Sequence, residues 1–322
     1  MQSIRLTALA CAACLPSLGC DDAAAQNFPT RPIRLVTGGA GGGNDIAARL
    51  IADGLTGLWG QQVIVDNRPS GLIPGEVVSR AAPDGYMLVI SGRSFWIAPL
   101  SMGSKAPYDP VKDFAPVTLP ASTANVLAVH PSLPVRSVKD LIALAKARPG
   151  QLNYGAAGQG SSPHLAAEVF KSQARLDIVR INYRAMGGLY TDLMAGQVQL
   201  TFGSAPSVMP YVKSGRLHGL AVTSAQPSAL APGLPTVAAS GLPGYEFVSP
   251  FGVFAPGETP RAIVSKLNEG MVRALSRPDL KERLFNAGME VVASTPEQLG
   301  TMIKADMTAL GPIVKDLPGG GG

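Results

Sequence analysis

The stretch Gly38-Gly-Ala-Gly-Gly-Gly43 puts five glycines in six positions between an apolar run, Ile33–Val36, and a helical pattern from Ile46 to Leu58. Glycine brings no side chain to pack and loses the most backbone entropy on folding. What it allows is a tight turn whose N–H groups point the same way. A helix starting directly behind adds its own unpaired N–H groups and the positive end of its dipole. Strand, glycine turn and helix in that order make a βα unit with a built-in site for an anion, phosphate or carboxylate.

The same alternation continues. Gln62–Asp66 reads as a second strand, Glu76–Ala82 as a short helix and Tyr86–Ile90 as a third, nearly all-apolar strand. Apolar strands are expected where both faces of a sheet are covered, so this is a doubly wound parallel sheet. Ligands in such sheets sit beyond the carboxyl ends of strands, which puts Ser91-Gly-Arg-Ser-Phe-Trp96 on the rim that carries the glycine turn. Tyr108–Phe114 reads as a connection and Val126–Val129 as a strand. A second unit then follows: a helix capped by Ser137, the strand Leu152–Gly155, a second glycine-serine loop (Gly158 to His164), and a helix to Ala174. Strands at Asp177–Asn182, Val198–Phe202 and Leu217–Thr223 complete it, Ala229–Gly244 is loop, and helices from Ile263 onward need the first sheet to pack on. The chain therefore crosses between two lobes twice, near residues 116–128 and 246–255. The expected division is 26–124 with 247–322 as one lobe and 125–246 as the other.

Composition bears on where the chain works. Arg5 followed by apolar Leu6–Leu18 and by Ala23-Ala-Ala25 fits a secretory signal peptide, residues 1–25, too short to span a bilayer. Leu18-Gly-Cys20 is a looser match to a lipoprotein processing site. All three cysteines (Cys11, Cys14, Cys20) lie in that leader, which excludes disulfides, thiolate metal sites and cysteine nucleophiles from a chain cut after Ala25. Loss of Arg5, Asp21 and Asp22 moves the net charge from +5 to +6. No dense Lys/Arg run accompanies it, which argues against a nucleic-acid groove. His130 and His218 stand alone and suggest no metal.

Arg31-Pro-Ile-Arg-Leu-Val36, the loop ending Gly-Gly-Gly-Asn-Asp45, Val65-Asp-Asn-Arg-Pro69, Ala82-Pro-Asp-Gly-Tyr86, Pro107–Phe114, Pro149–Tyr154, Gly160-Ser-Ser-Pro-His-Leu165, Ala221–Ser224 and Leu234–Val237 come in order. Together they resemble the Bug, or tripartite tricarboxylate transporter receptor, proteins over nearly all of the chain after residue 25. The resemblance implies an α/β, type II periplasmic-binding-protein fold of two lobes, a monomer without cofactor or catalysis, and a small organic carboxylate in the interlobe cleft. It also implies membrane transporter subunits, or a sensor protein, as partners. The ligand positions it carries over are Ala40, Gly41, Gly42, Gly43, Asn44, Asp45 and Ser91 on one lobe, and Gly160, Ser161, Ser162 and His164 on the other, with Tyr183 and Ser204. Three departures touch the site: Thr37-Gly38-Gly39 replaces a stiffer segment, Gly203-Ser204 replaces an Asp-Asn pair, and Arg93 replaces a small polar residue.

The residues leave other chemistries open. The first loop followed by Asp66 partly satisfies a dinucleotide fingerprint, which an extracytoplasmic location disfavours. Ser161, Ser162 and His164 invite a hydrolase reading, but no nucleophile elbow G-x-S-x-G is present. Arg93 is suited to hold a carboxylate through two parallel bonds. Phe95 and Trp96 are suited either to stack on an aromatic ligand or to fill a core.

Overall fold

The computed structural model describes residues 27–41, 43–68, 72–156, 161–183 and 186–315. The signal peptide, Cys20, Gly42, Gly160 and the glycine tail lie outside the described residues.

Strands β1 (Ile33–Thr37), β2 (Val63–Asn67) and β3 (Met87–Ser91) pair in parallel, in the order β2-β1-β3. Helices α1 (Gly43–Trp59) and α2 (Ile73–Ser79) connect them. The alternation seen in the sequence is thus a doubly wound half-sheet. In the second lobe β5 (Asn153–Ala156), β6 (Val179–Asn182) and β7 (Leu200–Ser204) repeat the arrangement, with β5 parallel to both neighbours. Helices α4 (Val138–Ala147), α5 (Ser162–Ala174) and α6 (Met186–Met194) cover it.

One strand holds the halves together. β4 is 16 residues long, Phe114–Val129. Its first part pairs antiparallel with β9 (Val248–Pro256), from Phe114 to Ala124. From Asn125 to Val129 it lies between β7 and β8 (His218–Val222). The sequence suggested only its last quarter, because Pro116 and Pro120 lack the N–H that a ladder requires. The structure accommodates both prolines by slipping register between Pro116 and Thr118 and again between Thr118 and Ala121, the usual remedy of a bulge.

Two helices replace expected irregular segments. α3 (Ser94–Met102) occupies what reads as a loop after β3, and α7 (Ala205–Lys213) follows β7. Each contains a proline, Pro99 or Pro210, which weakens a helical signal in sequence. The last helices, α8 (Arg261–Leu275), α9 (Pro278–Asn286) and α10 (Pro296–Lys315), return to the first lobe. The α8 residues Leu267 and Met271 share a core with Leu35, Ile51 and Leu88. Another core runs from Val36 and Trp96 through Phe254 to Phe170, Phe202 and Phe247, without a break at the crossing. Phe95 and Trp96 belong to that core, and Trp96 is fully buried. They fill it and do not stack on a ligand.

Gly257 shows how tightly the return strand is seated. A Cβ there would stand 2.5 Å from the Lys112 carbonyl oxygen and 3.0 Å from the Asp113 carbonyl carbon, both backbone atoms that cannot rotate away. Gly257→Ala is expected to cost about 1–3 kcal/mol by overpacking. Thermal unfolding checks this, and an unchanged Tm would mean that the β4 entry yields freely.

Candidate functional site

The first glycine loop is held from below by a carboxylate. Asp45, in the first turn of α1, is 4% exposed. Its Oδ2 accepts the Gly41 N–H at 2.8 Å, its Oδ1 accepts Asn67 Nδ2 at 2.8 Å, and Arg49 Nε lies 3.0 Å from Oδ1. Asn67 Nδ2 also donates to the Gly38 carbonyl at 2.9 Å. Burial works to raise the Asp45 pKa, but the Gly41, Asn67 and Arg49 bonds prevail and hold it below the usual carboxylate value. Gly41 sits at φ 81°, where side chains are strained. The glycines therefore have a conformational reason as well as an open one. Gly39, Ala40 and Gly41 remain exposed, so the outer face of the loop is available while Asp45 anchors its inner face.

The loop meets the crossing strand. The Cβ position of Gly43 is 3.3 Å from the Phe251 ring, and that of Gly92 is 3.5 Å from the Pro250 carbonyl and 3.7 Å from Asn44 Oδ1. Ser91, the last residue of β3, pairs with Gly252. Asn44, Ser91 and β9 are brought together, as the common rim required.

The next residue along β9 reaches the other lobe. Ser249 Oγ contacts Ser162 Oγ and donates to Asn125 Oδ1 at 3.1 Å. Asn125 Nδ2 donates to Ser162 Oγ at 2.9 Å and to the Phe202 carbonyl at 2.9 Å. Ser162 opens α5, and Ser161 before it has the extended backbone of an N-cap. Asn125 is in register with Ser204, whose hydroxyl donates to Ser207 at 2.8 Å. A continuous line thus runs from Asn44 through Pro250 and Ser249 to Ser162 and Ser204. The first glycine loop and the start of α5 meet one strand crossing.

His164, Tyr183 and Arg93 are placed differently. His164 is wholly buried, with Arg180 Nη1 3.4 Å from its Nε2. Burial, then the Arg180 charge, pushes its pKa down to about 4, so it is neutral at neutral pH. Tyr183 donates its hydroxyl to Asp192 at 2.7 Å, and burial followed by that bond raises its pKa to about 12. Arg93 Nη1 pairs with Asp306 on α10 at 3.2 Å, and its guanidinium lies 4.2 Å from the Phe247 ring centroid. Trp96 Nε1 donates to the same Asp306 at 2.9 Å. Burial opposes charge on both partners, lowering the Arg93 pKa and raising that of Asp306. This cluster lines a cavity of about 190 Å³ with Ser172, Gln173 and Glu246, between the last helix and α5.

Asn125, Ser249, Asn67 and Asp306 are the residues that sequence reasoning missed. A signal existed for the first: Asn125 is a polar residue in an otherwise apolar stretch, Val126–Val129 following directly. Among the described residues no group of three or more His, Cys, Asp or Glu could hold a metal, and no helix is long and apolar enough to cross a membrane.

The family model for the tripartite tricarboxylate transporter family receptor matches residues 47–318. The chain belongs to that family. It is 32% identical over 299 residues to protein BugT of Bordetella pertussis, covering 91% of each chain. Rpa4515 of R. palustris, solved with adipate, is 35% identical with a TM-score of 0.75, over 89% of this chain and 97% of that one. MatC of Rhodopseudomonas palustris, solved with malate, is 26% identical with a TM-score of 0.72, over 89% and 100%. The family consists of solute-binding receptors, not enzymes, and its members are periplasmic binding proteins.

Two measurements test the placements of His164 and Arg93. Between its ordinary value of 6.5 and about 4, the unfolded chain binds a proton that native His164 refuses. Stability is therefore full above that window and falls as pH drops through it, by at most about 1.4 kcal/mol per pH unit. Urea unfolding should show this slope in the wild-type receptor and a flatter one in His164→Gln. Arg93→Ala leaves Asp306 buried and unpaired, so a loss of about 3–5 kcal/mol is expected. Carboxylate affinity in calorimetry should stay within about twofold, because a pair this buried is already engaged.

Proposed function

We propose that this receptor closes its lobes on a small aliphatic dicarboxylate and presents it to a membrane transporter for uptake. The lobes are residues 26–124 with 247–322, and residues 125–246. The observation that carries the reading is the approach of two helix starts, α1 behind its glycine turn and α5 at Ser162, to the one strand crossing at Asn125, Ser249 and Pro250. The loop Ala40–Asn44 with Ser91 would take one carboxylate group through N–H and hydroxyl donors. Gly160, Ser161 and Ser162 at the start of α5 would take the other, with Tyr183 and Ser204 shaping the wall.

The charge arrangement favours a carboxylate over a phosphate. Asp45 lies directly beneath the first loop and offsets part of the positive helix end. A site of N–H and hydroxyl groups over a buried negative charge suits a monovalent carboxylate better than a divalent group. Both neighbours solved with ligand, one with adipate and one with malate, support this class. Placement of Phe95 and Trp96 in the core favours an aliphatic chain over an aromatic one. Closure would remove the carboxylates from water, and donors left unmatched by a wrong ligand would cost free energy, which supplies specificity. A carboxylate-sensing role uses the same site, and the partner recovered with the closed form separates it from uptake.

A thermal-shift panel of adipate, malate, other mono-, di- and tricarboxylates, aromatic acids, inorganic phosphate and nucleotides tests the reading. A dicarboxylate at a hundred times its Kd should stabilise the receptor by about 2.7 kcal/mol. Shifts from phosphate or nucleotides alone would refute it.

A further inference from the structure

We infer that Asn125 is a specificity-determining positioning residue: its amide fixes Ser162 as a hydrogen-bond donor toward the cleft, which selects ligands that accept over ligands that donate. The inference rests on the carboxylate reading above and names the group that enforces it.

The proton accounting starts at Phe202. Its carbonyl can only accept, so the Asn125 atom 2.9 Å away is the amide nitrogen, and the side-chain orientation is fixed. The nitrogen has two protons. One goes to Phe202, and the other goes to Ser162 Oγ at 2.9 Å. The amide oxygen then faces Ser249, whose hydroxyl donates to it at 3.1 Å. That uses the Ser249 proton and leaves Ser249 Oγ an acceptor.

Ser162 Oγ now holds a donated proton and still has its own to place. Asn125 Oδ1, at 3.3 Å, is the longest of its contacts and accepts from Ser162 with one lone pair and from Ser249 with the other. Three acceptors therefore compete for the Ser162 proton: Asn125 Oδ1, Ser249 Oγ, which it touches, and a ligand at the start of α5. A carboxylate oxygen is the stronger acceptor because it is charged. Accepting from an amide also polarises the hydroxyl and makes it a better donor. An amide group on a ligand would instead offer the Ser162 proton a neutral carbonyl, a weaker acceptor, and its NH₂ would meet an oxygen already bonded to Asn125. Ser162 alone could serve either ligand, since a free hydroxyl rotates to suit. Asn125 removes that choice.

Asn125 is 1% exposed and sits where β4 changes partners. Its role is therefore read through Ser162 and not through contact with ligand. Ser249 arrives on the return strand β9, so the orientation of one hydroxyl on α5 is set by both strands that cross between the lobes.

The test is a double-mutant cycle read as a selectivity ratio. Calorimetry on the purified receptor would use the dicarboxylate of the panel that binds tightest and its diamide (adipate and adipamide, or malate and malamide). Asn125→Leu removes the amide donor without adding charge. It should lower the diacid-to-diamide affinity ratio by about tenfold, while in a Ser162→Ala background the same change should move the ratio by less than about twofold. Ser249→Ala keeps Asn125 in place and removes the nearest competing acceptor together with a donor to Asn125 Oδ1, which leaves the longer contact to Oδ1 to compete with the ligand. It should tighten diacid binding severalfold, and it keeps the test open if Asn125→Leu does not fold. A ratio unmoved by Asn125→Leu, an equal shift in the Ser162→Ala background, or weaker diacid binding in Ser249→Ala would each overturn the inference. A wild-type receptor that binds no dicarboxylate would overturn the proposed function, a result read before any variant is made.

Discussion

Everything in this molecule is referred to one antiparallel ladder, β4 against β9. Backbone N–H and C=O groups buried between lobes must find partners, and β4 meets that requirement by changing neighbours at Ala124–Asn125. Before that point its partner is β9; after it, β7 and β8. The glycine turn before α1 and the start of α5 both meet this crossing, the first through Phe251 and Pro250, the second where Ser162 contacts Ser249 and Asn125. A polar node at such a place is costly unless every member is satisfied. Here the amide of Asn125 has a partner for each proton.

The two loops use related physics with different supports. Each leads into a helix, α1 or α5. The first is braced by a buried carboxylate, Asp45, which is itself stabilised by the loop it braces. The second leads into α5, beneath which His164 is held neutral and buried beside Arg180. One support is a buried carboxylate, and the other is a neutral imidazole beside a guanidinium. Away from the cleft, Arg93 and Asp306 neutralise each other against Trp96 and Phe247, which joins α10 to the segment entering β9.

Legibility followed the range of the interactions. The parallel order around β1 was readable because apolar periodicity and glycine turns are local properties. β4 was readable only from Val126 onward, because Pro116 and Pro120 look like loop until a register slip on β9 absorbs them. α3 was hidden by Pro99 and by the glycine and serine before it. Ser162 and Asn44 were legible as residues at helix starts. Asn125 and Ser249 were not, since they lie 37 and 87 positions from their partner Ser162. Arg93 had the chemistry for a ligand contact, and its distant partner Asp306 claimed it instead.

The sequence by itself determined the two βα units, the glycine loops at their strand ends and the family, because each is written in short windows of residue type and order. Only the tertiary structure decided which polar groups are already paired within the protein. Asp45, His164, Tyr183 and Arg93 each found a partner inside the protein. Those pairings depend on burial and on contacts between segments far apart in the chain, and a hydrogen bond is assigned by distance in space, not by position in a motif.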